Sequence, residues 1–370
     1  MNNNNPIVFF IPDLQGAGAQ KVVVNLANAL IDLIDHPIHV VLARADGVFV
    51  TDLRPEVKVI DLGTIRASRS IIPLARYLRN EKPAVLCSSR NYANVCSSLA
   101  WYLAGKRCRL VLREDNVVRA PTGSWFERLR GHAMQRLMGL LYPRADQVVA
   151  LGEAVAATLQ ERLICKAEHI VIIGNPVTVQ APAPDPGGEL VQSQLWRRRY
   201  IVAVGRLSPQ KGFDVLIESF AKVKDVDCDL VILGEGELRS DLEAQAKRLG
   251  LSDRVHLPGF MKNPHSVMAR AQLFVLSSRW EGFGLVIVEA MALGIPVVAT
   301  DCSGAPRELL LDGKLGHLVP PDDYDAMAVA ITEALTSPRG TKEERMHRAA
   351  DFSAPVIAEQ YLKRAFGFKD

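Results

Sequence analysis

Apolar runs of four or five residues, each followed by a segment of helix length, alternate along the whole of this chain, and that alternation permits few folds. A strand–helix–strand rhythm demands a parallel sheet with helices packed on its faces. In the first half the runs fall at 7–11, 39–43, 57–61, 84–88, 109–113, 147–151 and 170–173. Asn175-Pro176 then opens a stretch dense in breakers (Pro182, Pro184, Pro186, Gly187, Gly188). The rhythm restarts at 200–204, 229–233, 254–257, 273–277, 296–300 and 316–319. This predicts two α/β domains, 1–176 and 197–351, joined by a linker over 177–196. Phe352, Val356, Ile357, Tyr361, Leu362 and Phe366 recur at helical spacing and predict a closing helix within 352–370.

Composition narrows the class. Of 370 residues, 48% are hydrophobic and 23% charged, which excludes disordered and fibrous chains. A net charge of only +3 argues against a nucleic-acid coat, so no nucleic-acid partner is expected. Six cysteines (Cys87, Cys96, Cys108, Cys165, Cys228, Cys302) contain no C-x-x-C pair, which fits reduced thiols rather than a disulfide framework or a zinc site. Met1 to Pro6 lacks the pattern of a signal peptide. The longest apolar stretch, 284–299, contains Glu289 and Pro296 and is too short to span a bilayer. A cytoplasmic protein, soluble or peripheral at the inner face of a membrane, is the expectation.

The chemistry concentrates in loops that each follow a strand of the second half, where open α/β sheets bind ligands. Gly205-Arg206 to Lys211-Gly212 places two cations five residues apart around a turn. That suits a diphosphate, although a solvated basic loop accounts for it equally well in isolation. Gly234-Glu235-Gly236 and Gly259-Phe260-Met261 follow the next two strands, and each alone could be an ordinary turn. The sharpest signal is Glu281-Gly282-Phe283-Gly284-Leu285, with Glu289 inside the apolar helix that follows. A carboxylate in such a helix is unfavourable unless it meets donors, and sugar or ribose hydroxyls are good ones.

The succession G-R-L…K-G, G-E-G, G-F and E-G-F-G-L…E, with seven residues between Glu281 and Glu289, resembles the family-4 retaining glycosyltransferases of GT-B architecture. Gly16-Ala-Gly-Ala-Gln20 is similar to that family's G-G-A-E turn, and Ile173-Gly-Asn175-Pro176-Val177 to its entry into the linker. The resemblance implies two Rossmann-like αβα domains with a cleft between them, an N-terminal acceptor domain, a C-terminal nucleotide-sugar domain, and a last helix packing back towards the first domain. It also implies that Arg206 and Lys211 neutralise the donor diphosphate, that Glu281 orients the transferred sugar and Glu289 the ribose, and that backbone at Gly284-Leu285 meets a phosphate. Gly16 would approach the donor from the other domain, while Gly234, Glu235, Phe260 and Met261 would flank the base. No cofactor and no catalytic metal are implied; Asp225-Val-Asp227 mimics a metal-binding D-x-D but reads as a solvated connector. Two positions depart from the family pattern: Gln20 stands where relatives often have Glu, and Asp115 where they often have His. Arg113, Asp115 and Asn116 are the candidates on the acceptor side.

The neutral average hides a segregation of charge. Residues 105–144 hold nine basic residues against three acidic ones, and 66–82 is a second basic helix. Trp125, Leu129, Ala133, Leu137 and Leu140 share one helical face beside Arg128 and Arg130, which is either a core-packing helix with a solvated edge or one that lies on an anionic membrane. The expected activity is therefore transfer of a sugar, of hexosyl or N-acetylhexosaminyl type, from a nucleotide donor (UDP by family analogy) to a glycan or lipid-linked glycan in cell-surface polysaccharide or glycolipid synthesis. A sugar-nucleotide 2-epimerase of the same architecture and a non-catalytic glycan- or nucleotide-binding protein are the alternatives.

Overall fold

The computed structural model describes residues 5–16, 18–118, 124–163, 165–179, 198–223 and 226–368. Most of the expected linker, Arg119 of the basic stretch and Asp225 of the D-x-D mimic lie outside these. The expected strands are all present, with ends within two residues of their expected positions. Two compact units result: Met1–Val177 with Phe352–Asp370, and Thr178–Asp351.

The first unit contains β1 (Ile7–Ile11), β2 (Ile38–Leu42), β3 (Lys58–Asp61), β4 (Val85–Ser89), β5 (Arg109–Glu114), β6 (Gln147–Ala150) and β7 (Ile170–Ile172). They form one parallel sheet in the order β3-β2-β1-β4-β5-β6-β7. β1, β2 and β4 are buried throughout, because crossover helices cover both faces of the sheet; this is why these strands are mostly apolar. The second unit repeats the plan with β8 (Tyr200–Val204), β9 (Asp229–Leu233), β10 (Val255–Gly259), β11 (Leu273–Leu276), β12 (Val297–Thr300) and β13 (His317–Val319), ordered β10-β9-β8-β11-β12-β13. In each sheet the order reverses beside its first strand, between β1 and β4 and between β8 and β11. Connections leave the two strands in opposite directions there, which opens a crevice at their carboxyl ends.

The end of the chain differs from a single helix. Ala354–Gln360 is α-helical and passes into a π-helical turn, Tyr361–Phe366, closed by Gly367 at φ 74°. Tyr361, Leu362, Ala365 and Phe366 are all buried in this turn. The segment belongs to the first unit: the Phe366 ring lies 6.2 Å from Phe9, Arg109 Nε donates to Ala365 O at 2.7 Å, and Val177 N donates to Phe352 O at 2.8 Å. All six cysteines are free, and burial pushes the Cys87 thiol up to about 12, as expected of a packing residue rather than a nucleophile.

Phe366 thus anchors the chain end against β1. Phe366→Ala should lower stability by roughly 3–5 kcal/mol through lost packing and a residual cavity. Denaturant titration checks this, and an unchanged midpoint would contradict it.

Candidate active site

The second unit brings its signal-bearing loops together because β8 and β11 are neighbours, with Ile201 paired to Leu273 and Val202 to Phe274. Their carboxyl ends release the loops 205–212 and 277–284 side by side. Gly212 has φ 60°, and a Cβ there would stand 2.2 Å from Ser277 O, so only glycine allows this approach. Ser277 Oγ donates to Lys211 O at 2.8 Å. Lys211 Nζ then donates to Glu281 Oε1 at 2.5 Å, and Ser278 Oγ donates to the same oxygen at 2.6 Å. The pair is largely buried, at 18% and 8% side-chain exposure, so partial desolvation strengthens its attraction. The stem of Lys211 lies across Gly205, where a Cβ would meet its Cε at 3.1 Å.

The neighbouring loops complete the floor. Gly234, after β9, has φ 149° and would drive a Cβ to 1.8 Å from Gly205 O. Leu207 N donates to Glu235 O at 2.9 Å, and Gly234 N to Gly259 O at 2.9 Å. Beyond β12, Thr300 Oγ1 donates to Ser278 O at 2.5 Å, and Glu281 N to Ser303 O at 3.0 Å. Arg279, which its local sequence does not single out, staples the two central loops: it donates to Pro209 O at 2.7 Å, to both Asp214 oxygens at 3.0 and 2.7 Å, and to Asp322 at 2.6 Å. Its place in the S-S-R-W-E-G run was visible, but nothing local names Asp214 or Asp322 as its partners.

The other expected donor-side residues divide. Arg206 is exposed and makes no ion pair among the described residues, which leaves its charge available. Gly284, at φ 91°, precedes helix Leu285–Ala292 and supplies no side-chain cap, so the first amides of that helix stay unclaimed by a capping side chain; Gly282 beside it is buried. Glu289 lies on the fifth position of that helix, partly buried, with Oε1 3.7 Å from His265 Nε2. His265, too, was not anticipated, since its approach to Glu289 is tertiary. Phe260 is half exposed and Met261 partly so. The Glu235 carboxylate is paired with Arg239 at 2.7 and 3.0 Å, which holds its pKa below the usual value, and a Cβ on Gly259 would stand 3.0 Å from its Oε1. Phe283 is buried. Asp227 of the D-x-D mimic is exposed and paired with Arg198.

In the first unit, Arg113 also differs from expectation. At 2% exposure it cannot meet an acceptor; it pairs with Asp115 and donates to Ser89 Oγ at 2.6 Å and to Asn175 Oδ1. β4 and β5 are neighbours with Ser89 opposite Arg113, which explains the meeting. Ser89 Oγ donates on to Asp115 Oδ2 at 2.9 Å, and Asn116 next to it is exposed. Arg113 is therefore a buried post that holds Asp115 and the Asn175 turn. Gln20, the other departure from the family pattern, donates from its amide to Asp13 and accepts from Gly16 N at 3.0 Å. A carboxylate at position 20 could not donate to Asp13, so Gln20 and Asp13 are matched.

Comparison with known proteins follows the same division. Residues 16–181 match the family described as Glycosyltransferase Family 4, and residues 191–351 the family described as Glycosyl transferases group 1. The chain is 27% identical, over 97% of its own length and 98% of the relative, to N-acetylgalactosamine-N,N'-diacetylbacillosaminyl-diphospho-undecaprenol 4-alpha-N-acetylgalactosaminyltransferase of Campylobacter jejuni. Anabaena HepE, solved in complex with UDP, superimposes with a TM-score of 0.78 at 25% identity, covering 97% of this chain and 98% of that one. Sucrose-phosphate synthase of Thermosynechococcus elongatus shares the fold with a TM-score of 0.80 at 21% identity, covering 97% and 98%.

Behind Asp115, Glu114 is fully buried and accepts from Tyr142 OH at 2.8 Å, and burial pushes its carboxyl up to about 8. Between its ordinary value of 4.5 and about 8, the unfolded chain has released this proton while the folded chain retains it, so stability falls as pH rises. Glu114→Gln, which keeps an acceptor for Tyr142, should flatten that slope. Melting temperatures at pH 5 and pH 8 check this; parallel wild-type and variant profiles would refute it.

Proposed function

We propose that this chain, which belongs to the glycosyltransferases of GT-B architecture and the family-4 kind, transfers a hexosyl or N-acetylhexosaminyl group with retention from a UDP-sugar to a lipid-linked glycan acceptor in cell-surface polysaccharide or glycolipid synthesis. The observation that carries this reading is the Lys211–Glu281 pair at the carboxyl ends of adjacent strands, with the exposed Arg206 in the same loop as Lys211. Lys211 and Ser278 both donate to Glu281 Oε1, which leaves Oε2 for a hydroxyl of the transferred sugar. The HepE complexes with UDP and with UDP-glucose support the choice of nucleotide, and the diphospho-undecaprenol substrate in the Campylobacter enzyme's name supports a lipid-linked acceptor.

The chemistry follows from charge. Departure of the nucleoside diphosphate puts negative charge on its outer phosphate. Arg206 and Lys211 stabilise that charge without a metal, and the uncapped amides after Gly284 add a fixed dipole. Lys211 is pre-positioned by Glu281, so little reorganisation accompanies the reaction. Glu289 accepts from the ribose hydroxyls beside His265. The enzyme works on the cytoplasmic side; no helix among the described residues is long and apolar enough to cross a membrane.

A panel of nucleotide sugars tested by thermal shift should find a UDP-sugar that raises the melting temperature, with nucleotide released only when acceptor is supplied. A sugar-nucleotide 2-epimerase would instead turn over without acceptor. Lys211→Ala should cost about 10²–10³-fold in kcat/KM, comparable to removing one donor to a developing anion. Glu289→Ala should weaken donor binding with a smaller effect on kcat. If neither substitution weakened the best donor, the site assignment would be wrong.

A further inference from the structure

Helix Trp125–Leu141 turns only Met138 and Leu141 fully into the core of the first unit. A capping box, with Glu127 N donating to Ser124 Oγ and Ser124 N donating to Glu127 Oε2 at 2.7 Å, sets its start. On its outward side Trp125 is 67% exposed, Phe126 70%, Leu129 55%, Leu137 41% and Leu140 53%. At 3.6 residues per turn these five fall within one arc of about 120° along a helix roughly 25 Å long, with Arg136 interrupting the stripe between the turns of Leu129 and Leu140. The Trp125 and Phe126 rings meet edge to face at 4.7 Å between centroids, which holds the aromatic end in one arrangement. Arg128, Arg130 and Arg144 are exposed beside this face and Arg136 is exposed within it. The single acid among them, Glu127, is engaged in the cap. The core-packing reading of this face is thereby excluded.

An exposed apolar surface of this kind on a soluble chain marks an interaction site. Its composition selects the partner: an aromatic and aliphatic stripe edged by arginines complements a surface that is apolar beneath an anionic layer. A second patch agrees. Ile65 and Ile72 are 77% and 68% exposed, with Arg66 and Arg69 exposed beside them, just after β3. Because β3 and β5 run parallel in one sheet, the chain leaves both at the same edge, so the Ile65 loop and the Trp125 end of the helix share the carboxyl side of the sheet. Helix Asn91–Leu103 lies in contact with both elements, between Ala67–Ser70 and Trp125–Leu141.

We propose that this face docks on an anionic lipid bilayer, with Trp125, Phe126, Leu129 and Leu140 in the headgroup–acyl boundary and the arginines on lipid phosphates. The inference rests on the lipid-linked acceptor of the preceding section only for its purpose; the surface stands on its own observations.

The test is flotation of the full chain with vesicles of phosphatidylcholine alone and of phosphatidylcholine with added phosphatidylglycerol. Binding should require phosphatidylglycerol and fall with added salt. The double variants Trp125→Ser/Phe126→Ser and Arg130→Glu/Arg136→Glu should each reduce the bound fraction roughly tenfold while leaving the UDP-sugar thermal shift at its wild-type value. No flotation at low salt, or equal flotation without phosphatidylglycerol, would overturn the proposal. So would a wild-type dimer in sedimentation that Trp125→Ser/Phe126→Ser converts to monomer, since the occupant would then be a second copy. Transfer to a water-soluble acceptor fragment separates the two readings: its failure with flotation intact would refute the activity and leave the docking standing.

Discussion

The side-by-side carboxyl ends of β8 and β11 are the constraint on which the rest of the second unit depends. Lys211 and Glu281 stand seventy positions apart in the chain, yet pairing of their parent strands brings the two charges to 2.5 Å. Each supporting contact answers to that closeness. Gly212 lacks a Cβ because Ser277 O occupies the space, Gly234 lacks one because Gly205 O does, and Arg279 neutralises Asp214 and Asp322 while drawing the loops together. A carboxylate and an ammonium so placed are of limited value to stability, since desolvation offsets much of their attraction. Their value lies in orientation: the cation is held where a leaving diphosphate needs it, and one carboxylate oxygen is left for the sugar.

The first unit uses the same topology to different ends. At its strand ends stands a buried cation rather than an available one. Arg113 binds Asp115, Ser89 and Asn175, and so ties β4, β5 and the turn after β7 into one polar knot. Glu114 faces the opposite way and is kept near neutrality by burial, hydrogen-bonded to Tyr142, which in turn accepts from Asn94. Consecutive residues of a strand point to opposite faces, so the Arg113-Glu114-Asp115 run distributes its charges between two layers. The outer surface of this unit then carries an exposed aromatic stripe and its arginines.

Much of the fold was legible because its signals are local. Buried parallel strands are short apolar runs, and one Pro/Gly cluster interrupts the pattern between the two halves. The G-R-L…K-G and E-G-F-G-L…E runs were legible for the same reason: glycines and charges at set spacings within one loop. What was missed has partners far along the chain. His265 beside Glu289, and Arg279 bridging Asp214 and Asp322, carry no neighbouring residue that announces the contact. Arg113 was misplaced because the E-D-N run looks the same whether the preceding arginine points to solvent or inward, and only the opposing Ser89 and Asn175 decide it. The helix at 125–141 shows the same limit, since its amphipathic period is identical for a core-facing and an outward-facing stripe.

The sequence by itself determined the order of elements, the two-domain plan, the family and the residue types of the candidate site, because strand burial and loop chemistry are written in patterns a few residues long. Tertiary structure alone decided which of those charges meet. It paired Lys211 with Glu281, withdrew Glu235 and Arg113 into structural pairs, left Arg206 available, and turned Trp125 and Phe126 outward. The physical reason is that pairing and burial depend on which strand ends lie adjacent and which helix face finds a partner, and neither is a property of any short stretch of chain.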